Sequence, residues 1–236
     1  MGAVKYKGFI PWDDDMDIAV PRQDYERLIE VSQQQSWSDK FSIISYRYNP
    51  SMHCYFPRVL LNEDERLKLQ LPRNNLLGLV LIDILPLDGS PNNKLLREIY
   101  FAKIYLLRAL AGVWTLDIHE TVDMHETGKK GVLRILKFLQ IHRLYKQVDI
   151  YHQLEKLYSK YDWKHSKFSG TITGSLYRKE ILPTEYWGNG ILADFEGKQF
   201  RIPARFDDYL KQLYGENYRT TLPPENKRKS HIKMSK

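Results

Sequence analysis

Apolar and polar positions fall into short blocks along this chain, and each block predicts an element. Met16-Asp17-Ile18-Ala19-Val20 is an apolar run with one acid, closed by Pro21. From Pro21 the period lengthens. Tyr25, Leu28, Ile29 and Ser32 stand at helical spacing and predict a helix through about Gln35. Phe41 to Arg47 and His53 to Leu61 are rich in β-branched, aromatic and aliphatic residues. Asn49-Pro50-Ser51 between them is a turn, so the pair reads as a hairpin with Arg58 in its second strand. Gly78 to Gly89 reads as a buried strand, apolar on both faces and interrupted by Asp83, with Asp88-Gly89 as a turn after it.

Helical spacing returns from Pro91 to about Trp114, through Leu95, Leu96, Ile99, Ala102, Leu106 and Leu110. Gly131 to about Tyr161 predicts further helix in two pieces, broken near His142. Gly170-Thr171-Ile172-Thr173-Gly174 is a short strand or a loop able to approach phosphate. Ile191 to Ile202 predicts a hairpin turning at Glu196-Gly197-Lys198, and Phe206 to Tyr214 a helix ended by Gly215.

Composition narrows the class. An apolar content of 42% with 13% aromatics belongs to a folded protein, which excludes intrinsic disorder. The length of 236 residues allows one large domain or a domain with an insertion. Cys54 is the single cysteine, which rules out an internal disulfide and a zinc cluster and suits a reducing cytosol. No apolar run approaches the length of a membrane span, and no signal-peptide pattern opens the chain. Both point to a cytoplasmic protein.

The net charge of +7 favours an anionic partner: nucleic acid, anionic lipid or a phosphate-rich substrate. Much of the excess lies between Lys129 and Lys167 and in the tail after Lys227. Lys129, Lys130, Arg134, Lys137, Arg143 and Lys146 alternate with Leu133, Leu136, Phe138, Leu139 and Leu144. Such a face can rest peripherally on an anionic membrane. Core packing with a solvated basic side is the expected alternative. No nucleic-acid recognition motif is present.

The chemistry concentrates at Asp13, Asp14, Asp15 and Asp17. In an extended segment Asp13, Asp15 and Asp17 share one face, and carboxylates so close repel unless a cation sits among them. Mg²⁺ is the simplest such cation, because it takes a few carboxylates and leaves its other positions to water and phosphate. A solvated acidic loop competes with this reading. An EF-hand does not, since its sixth and twelfth positions would be Ile18 and Asp24 rather than Gly and Glu. Asp83, isolated in an apolar strand, is expected to face Asp15 and Asp17 as a third ligand, with a polar strand end as the bland alternative. His119 and His125 in a polar stretch are a weaker metal candidate.

These residues resemble a known family. Gly2-Ala3-Val4 followed by Lys7-Gly8-Phe9-Ile10-Pro11-Trp12-Asp13-Asp14-Asp15-Met16-Asp17 is similar to the first motif of the LicD-type phosphotransferases, related to the fukutins. Lys5 and Tyr6 stand where that family usually has Arg-His. Ile82-Asp83-Ile84-Leu85-Pro86-Leu87-Asp88-Gly89 fits a second motif, and Phe195-Glu196-Gly197, Pro203, Asp208-Tyr209-Leu210 and Tyr214-Gly215 fit a third. Family members carry a helix and a Gly-Thr-Leu-Leu segment ahead of the first motif, without a counterpart before Gly2, so the expectation is an N-terminally shortened single domain.

The resemblance implies an α+β, nucleotidyltransferase-like mixed β-sheet flanked by helices, with a helical insertion over about 91–161 and a C-terminal hairpin and helix. It implies transfer of a phospho-substituent, typically phosphocholine from a CDP-alcohol such as CDP-choline, to a cell-surface glycan: teichoic acid, lipopolysaccharide or capsule. Asp15, Asp17 and Asp83 then become the catalytic and metal-binding residues for Mg²⁺ or Mn²⁺, with Asp83 receiving the proton of the attacking hydroxyl. Asp13 and Asp14 tune that site, while Lys7 and Arg58 meet phosphate oxygens. Trp12, Tyr46, Tyr48 and Trp187 are the aromatic candidates for holding a quaternary ammonium. The other function weighed is a catalytically impaired relative that binds glycan or partner without turnover.

Overall fold

The computed structural model describes residues 1–13, 16–116, 127–174 and 176–220, with the backbone alone at 127–130 and 132. In chain order the elements begin with a one-turn helix α1 (Gly2–Lys5), strand β1 (Met16–Pro21) and helix α2 (Arg22–Gln34). Strands β2 (Phe41–Ile44) and β3 (Arg58–Leu61), a short helix α3 (Glu63–Lys68) and the long strand β4 (Leu79–Gly89) follow. A helical layer comes next: α4 (Lys94–Trp114), α5 (Thr127–Phe138), a 3₁₀ turn (Ile141–Leu144) and α6 (Gln147–Tyr158). The chain closes with β5 (Phe168–Gly170), β6 (Leu182–Pro183), the hairpin β7 (Ile191–Phe195) and β8 (Lys198–Ile202), and α7 (Phe206–Tyr214).

The architecture is mixed α+β. The sheet runs β2-β3-β4-β5-β6, with β1 added to β4. Among the described residues only β1 pairs in parallel; the remaining ladders are antiparallel. A parallel neighbour needs a crossover, and α2 with the β2–β3 hairpin supplies it. Pro21 ends the strand and fixes an extended backbone (φ −49°, ψ 136°) from which α2 starts at Arg22.

Two apolar layers sandwich the sheet. On one face Tyr25 and Ile29 of α2 bury Val59 and Ile84, with Ile18, Val20 and Ile82 beside them. On the other, Leu85 meets Tyr100, Phe101 and Ile104 of α4 and Ile150, Tyr151 and Leu154 of α6. Strand alternation accounts for this division, since even-numbered residues of β1 and β4 face α2 and odd-numbered ones face away.

The β2–β3 hairpin forms, but its strands are four residues each and shorter than the sequence suggests. Tyr46, Met52, Cys54 and Phe56, expected in strand or turn, are buried instead in the helical-layer core. Packing against α6 outweighs their strand propensity. Both pieces of the second helical stretch form. The break falls at Gln140, whose left-handed φ of 55° ends α5.

Asp88 departs from its expected turn. It lies inside β4 opposite Gly170, and it is 1% exposed. Arg22 Nε donates to Asp88 Oδ1 at 2.8 Å, and the second guanidinium nitrogen donates to Oδ2. Arg22 also donates to Glu26 at 3.0 Å and Glu155 at 3.2 Å. Arg47 bridges the same two acids, donating to Glu26 Oε2 at 2.6 Å and Glu155 Oε2 at 3.0 Å, and the Tyr46 hydroxyl donates to Glu155. Burial pushes the Asp88 carboxyl up to about 6, and Arg22 opposes that rise. The network ties β4, α2, the β2–β3 loop and α6 together.

Removing one member of a buried charge pair leaves the other uncompensated, at a cost of about 3–5 kcal/mol. Arg22→Ala is therefore expected to lower unfolding stability by about that much. Arg22→Met combined with Asp88→Leu should recover part of the loss. Urea denaturation of the three proteins checks this; equal stabilities would show that the network contributes nothing.

Candidate functional site

Gly8 to Asp13 is a loop held from a distance. Lys7 adopts a left-handed φ of 56°, and its carbonyl accepts the Glu196 N–H at 2.9 Å. The Glu196 carboxylate accepts the Phe9 N–H at 3.1 Å, and the Phe9 ring meets Phe195 edge-on at 5.0 Å. A Cβ at Gly8 would lie 2.2 Å from Glu196 Oε1, so a side chain there would displace the carboxylate. The tip of the β7–β8 hairpin thus positions the first motif. Trp12 lies edge-on to Tyr6 at 6.1 Å, and the Asp13 N–H bonds the Ile10 carbonyl at 2.9 Å.

Beyond this loop, Asp14 and Asp15 lie outside the described residues, as do His119, His125 and the basic tail. Asp17 is described and exposed on β1. The register pairs it directly with Asp83 of β4, and Asp83 in turn with Arg58 of β3. Directly paired residues share a face, so Arg58, Asp83 and Asp17 form one row across three strands. The row faces away from α2, because its neighbours Ile18, Ile82, Ile84 and Val59 are the ones that pack there.

Within the row, Arg58 Nε lies 2.9 Å from Asp83 Oδ1, with the two side chains 12% and 20% exposed. The guanidinium also sits 5.3 Å from the centre of the Phe56 ring. Arg58 therefore holds a strand carboxylate here, and Lys7 is exposed on its loop. Two of the three expected acids are neighbours. Among the described residues no group of three His, Cys, Asp or Glu side chains is arranged to hold a metal ion.

Pattern reading missed Glu180. It is 8% exposed, and the Thr171 hydroxyl donates to its carboxylate. Burial pushes the Glu180 carboxyl up to about 8, and the negative charge of Asp17 adds to the rise while Arg108 opposes it. Burial likewise raises Tyr209 and Tyr214, reinforced at both by Glu180 and Asp17. Arg108, reaching in from α4, donates to the carbonyls of Ile172 at 3.4 Å and Gly174 at 3.3 Å. The segment 170–174 is thereby fixed as a short strand end and turn, closed by Gly174 N–H to Thr171 O at 2.9 Å. In the sequence Glu180 follows Arg178-Lys179, a run that reads as solvated. The Gly-Thr-Ile-Thr-Gly segment just before it was the available signal.

The aromatic candidates separate. Tyr46 is buried with its hydroxyl on Glu155, and Trp187, 8% exposed, packs edge-on to Tyr209. Both rings are engaged in packing. Tyr48 is 55% exposed, and Trp12 is half-buried against Tyr6.

What this geometry defines is a pair of carboxylates in direct register on adjacent strands, Asp17 and Asp83, with Arg58 on the next strand. Residues 1–72 match the family described as LicD/FKTN/FKRP, nucleotidyltransferase domain. The chain is also similar to lipopolysaccharide cholinephosphotransferase LicD of Haemophilus influenzae, 26% identical over 239 aligned positions that cover 98% of this chain and 83% of that protein. No solved structure matches the chain.

The buried Glu180 carboxyl generates a test with a definite sign. Its folded value lies above its ordinary one, so the stability it contributes is complete below 4.5 and is lost as pH rises through about 8. Melting temperature should fall across that interval in the native protein and fall less in Glu180→Gln. Parallel slopes for the two proteins in metal-free buffer would contradict this.

Proposed function

We propose that this chain transfers phosphocholine from CDP-choline to a hydroxyl of a cell-surface glycan, with lipopolysaccharide the first acceptor to try. Teichoic acid and capsule offer hydroxyls of the same chemistry. The reading is supported by one observation above the others: Asp17 and Asp83 stand in direct register on adjacent strands. Like charges placed side by side repel, and a fold that keeps them there suits a site where a cation or a phosphate-bound cation completes the charge. The acceptor comes from the printed name of the Haemophilus relative.

The donor set fits Mg²⁺ or Mn²⁺, because both candidate ligands are hard carboxylate oxygens. Asp17 and Asp83 would hold the ion, joined by Asp15 on the strength of the sequence. When bound, such an ion neutralises charge developing on the transferred phosphoryl group and the departing CMP. The protein's own residues do the rest. The acceptor hydroxyl attacks phosphorus, the bond to CMP breaks, and the hydroxyl proton passes to a carboxylate, assigned here to Asp83. Arg58, already fixed against Asp83, orients that carboxylate and offers its remaining N–H groups to phosphate oxygens. Lys7 adds a mobile positive charge at the edge, and Trp12 offers a ring face to the choline ammonium.

One observation favours a second reading. Arg58 lies 2.9 Å from Asp83 and leaves that carboxylate less charge to offer a cation, which suits a protein that binds glycan or a partner without turnover. The assay that separates the two is CMP release from CDP-choline in the presence of lipopolysaccharide and Mg²⁺. Loss of groups that merely orient metal ligands costs about 10–100-fold, so Asp17→Asn and Asp83→Asn should each lower the rate by at least about 100-fold. A chelator should abolish release and added Mg²⁺ restore it. Unchanged release in Asp17→Asn would end the assignment of Asp17 to the metal, and no release by the parent protein would end the transfer reading. CDP-ethanolamine and CDP-polyols in the same assay identify the cargo.

A further inference from the structure

The helical layer exposes apolar side chains to a degree the sheet side does not. In α5 and the turn after it, Ile135 is 60% exposed, Phe138 85%, Leu139 59% and Leu144 84%. Ile135, Phe138 and Leu139 occur at i, i+3 and i+4 and share one face, while Leu133, buried at 3%, faces the core. The expectation of core packing with a solvated basic side therefore holds for Leu133, is met in part at half-buried Leu136, and fails for Phe138, Leu139 and Leu144. Exposure this high means that the side chains project beyond their surroundings, which is the shape of a wedge rather than of a groove.

Charge selects the occupant. Residues 127–148 contain no Asp or Glu, and Arg134, Arg143 and Lys146 are exposed among the apolar positions. A second copy docked through this face in a two-fold dimer would bring like cations together. Anionic headgroups would neutralise them, while the projecting Phe138 and Leu144 enter the acyl boundary. No helix among the described residues is long and apolar enough to cross a membrane, so the contact lies in the interface plane. We propose that α5 and the turn at Ile141–Leu144 form a docking surface for an anionic lipid bilayer. The surface lies outside residues 1–72, and its function does not depend on the transfer reaction.

Co-sedimentation of the full chain with vesicles tests this, using phosphatidylcholine alone and phosphatidylcholine mixed with phosphatidylglycerol. Binding is expected to the mixed vesicles, weakened but not eliminated by salt. Phe138→Ser with Leu144→Ser removes the wedge and should lower partitioning at least about tenfold. Arg143→Gln with Lys146→Gln should lower it about fivefold per charge and reduce the preference for anionic vesicles. These positions are exposed, so both variants should melt like the parent, and a matched melt shows that the lost binding is not unfolding. Overturning results are equal binding by parent and wedge variant, or concentration-dependent dimerisation without vesicle binding.

Discussion

Asp83 is paired on both sides at one level of the sheet, with Asp17 on the parallel strand and Arg58 on the antiparallel one. The rest of the site depends on that register. A slip of one residue in β1 would turn Asp17 toward α2, into a layer made of Tyr25, Ile29 and Ile84. The same slip would expose Ile18 and Val20, so the hydrophobic pattern enforces the position of the carboxylate. The apolar face of the strand is thus what holds the chemistry in place. Arg58 makes the arrangement tolerable by offsetting one of two adjacent negative charges in a partly buried row.

A second constraint joins distant parts of the chain. The loop carrying the first motif is pinned through Phe9 and Lys7 to Glu196, 187 residues from Phe9 in sequence. Closing so long a loop costs entropy, which grows only slowly with length. The hydrogen bonds at Glu196 and the Phe9–Phe195 contact offset it locally. Here the resemblance acquires a physical content: a late Phe-Glu-Gly segment accompanies the early motif because its turn is the seat on which that motif rests. Gly197, at φ 72°, lets the turn form without steric cost.

Much of this was legible where one local signal decided the outcome. Pro21 marked the strand–helix boundary, Gly215 the end of α7, and Glu196-Gly197 the last hairpin. Asp83 was legible because a lone acid in an apolar strand demands a partner. Asp88 was not, since Asp-Gly after a strand is an ordinary turn, and only the arrival of Arg22 from α2 lets the carboxylate stay buried. Glu180 was hidden for a similar reason. Thr171 lies only nine residues before it, but Tyr209 and Tyr214, whose environment it shares, lie some thirty residues on, beyond any local window. The β2–β3 strands were read too long because Tyr46, Cys54 and Phe56 have strand propensity but find a larger apolar surface on α6. At α5 the sequence showed an amphipathic pattern without saying which apolar positions meet the core, since two apolar faces of one helix look alike until one of them is covered.

The two polar centres are connected through the same element. Glu155 on α6 accepts from Arg22 and Arg47, and Arg22 reaches Asp88 at the far end of the strand that carries Asp83. Buried charged networks resist sliding, because any shift leaves a charge without its partner. The helical layer is therefore anchored to β4 electrostatically as well as by packing of Leu85 against α4 and α6. A surface that meets α5 encounters a layer whose position relative to the Asp17–Asp83 row is fixed. Exposed apolar residues on a mobile arm would say little about the geometry of the site, whereas on a layer locked to the central strand they define an orientation.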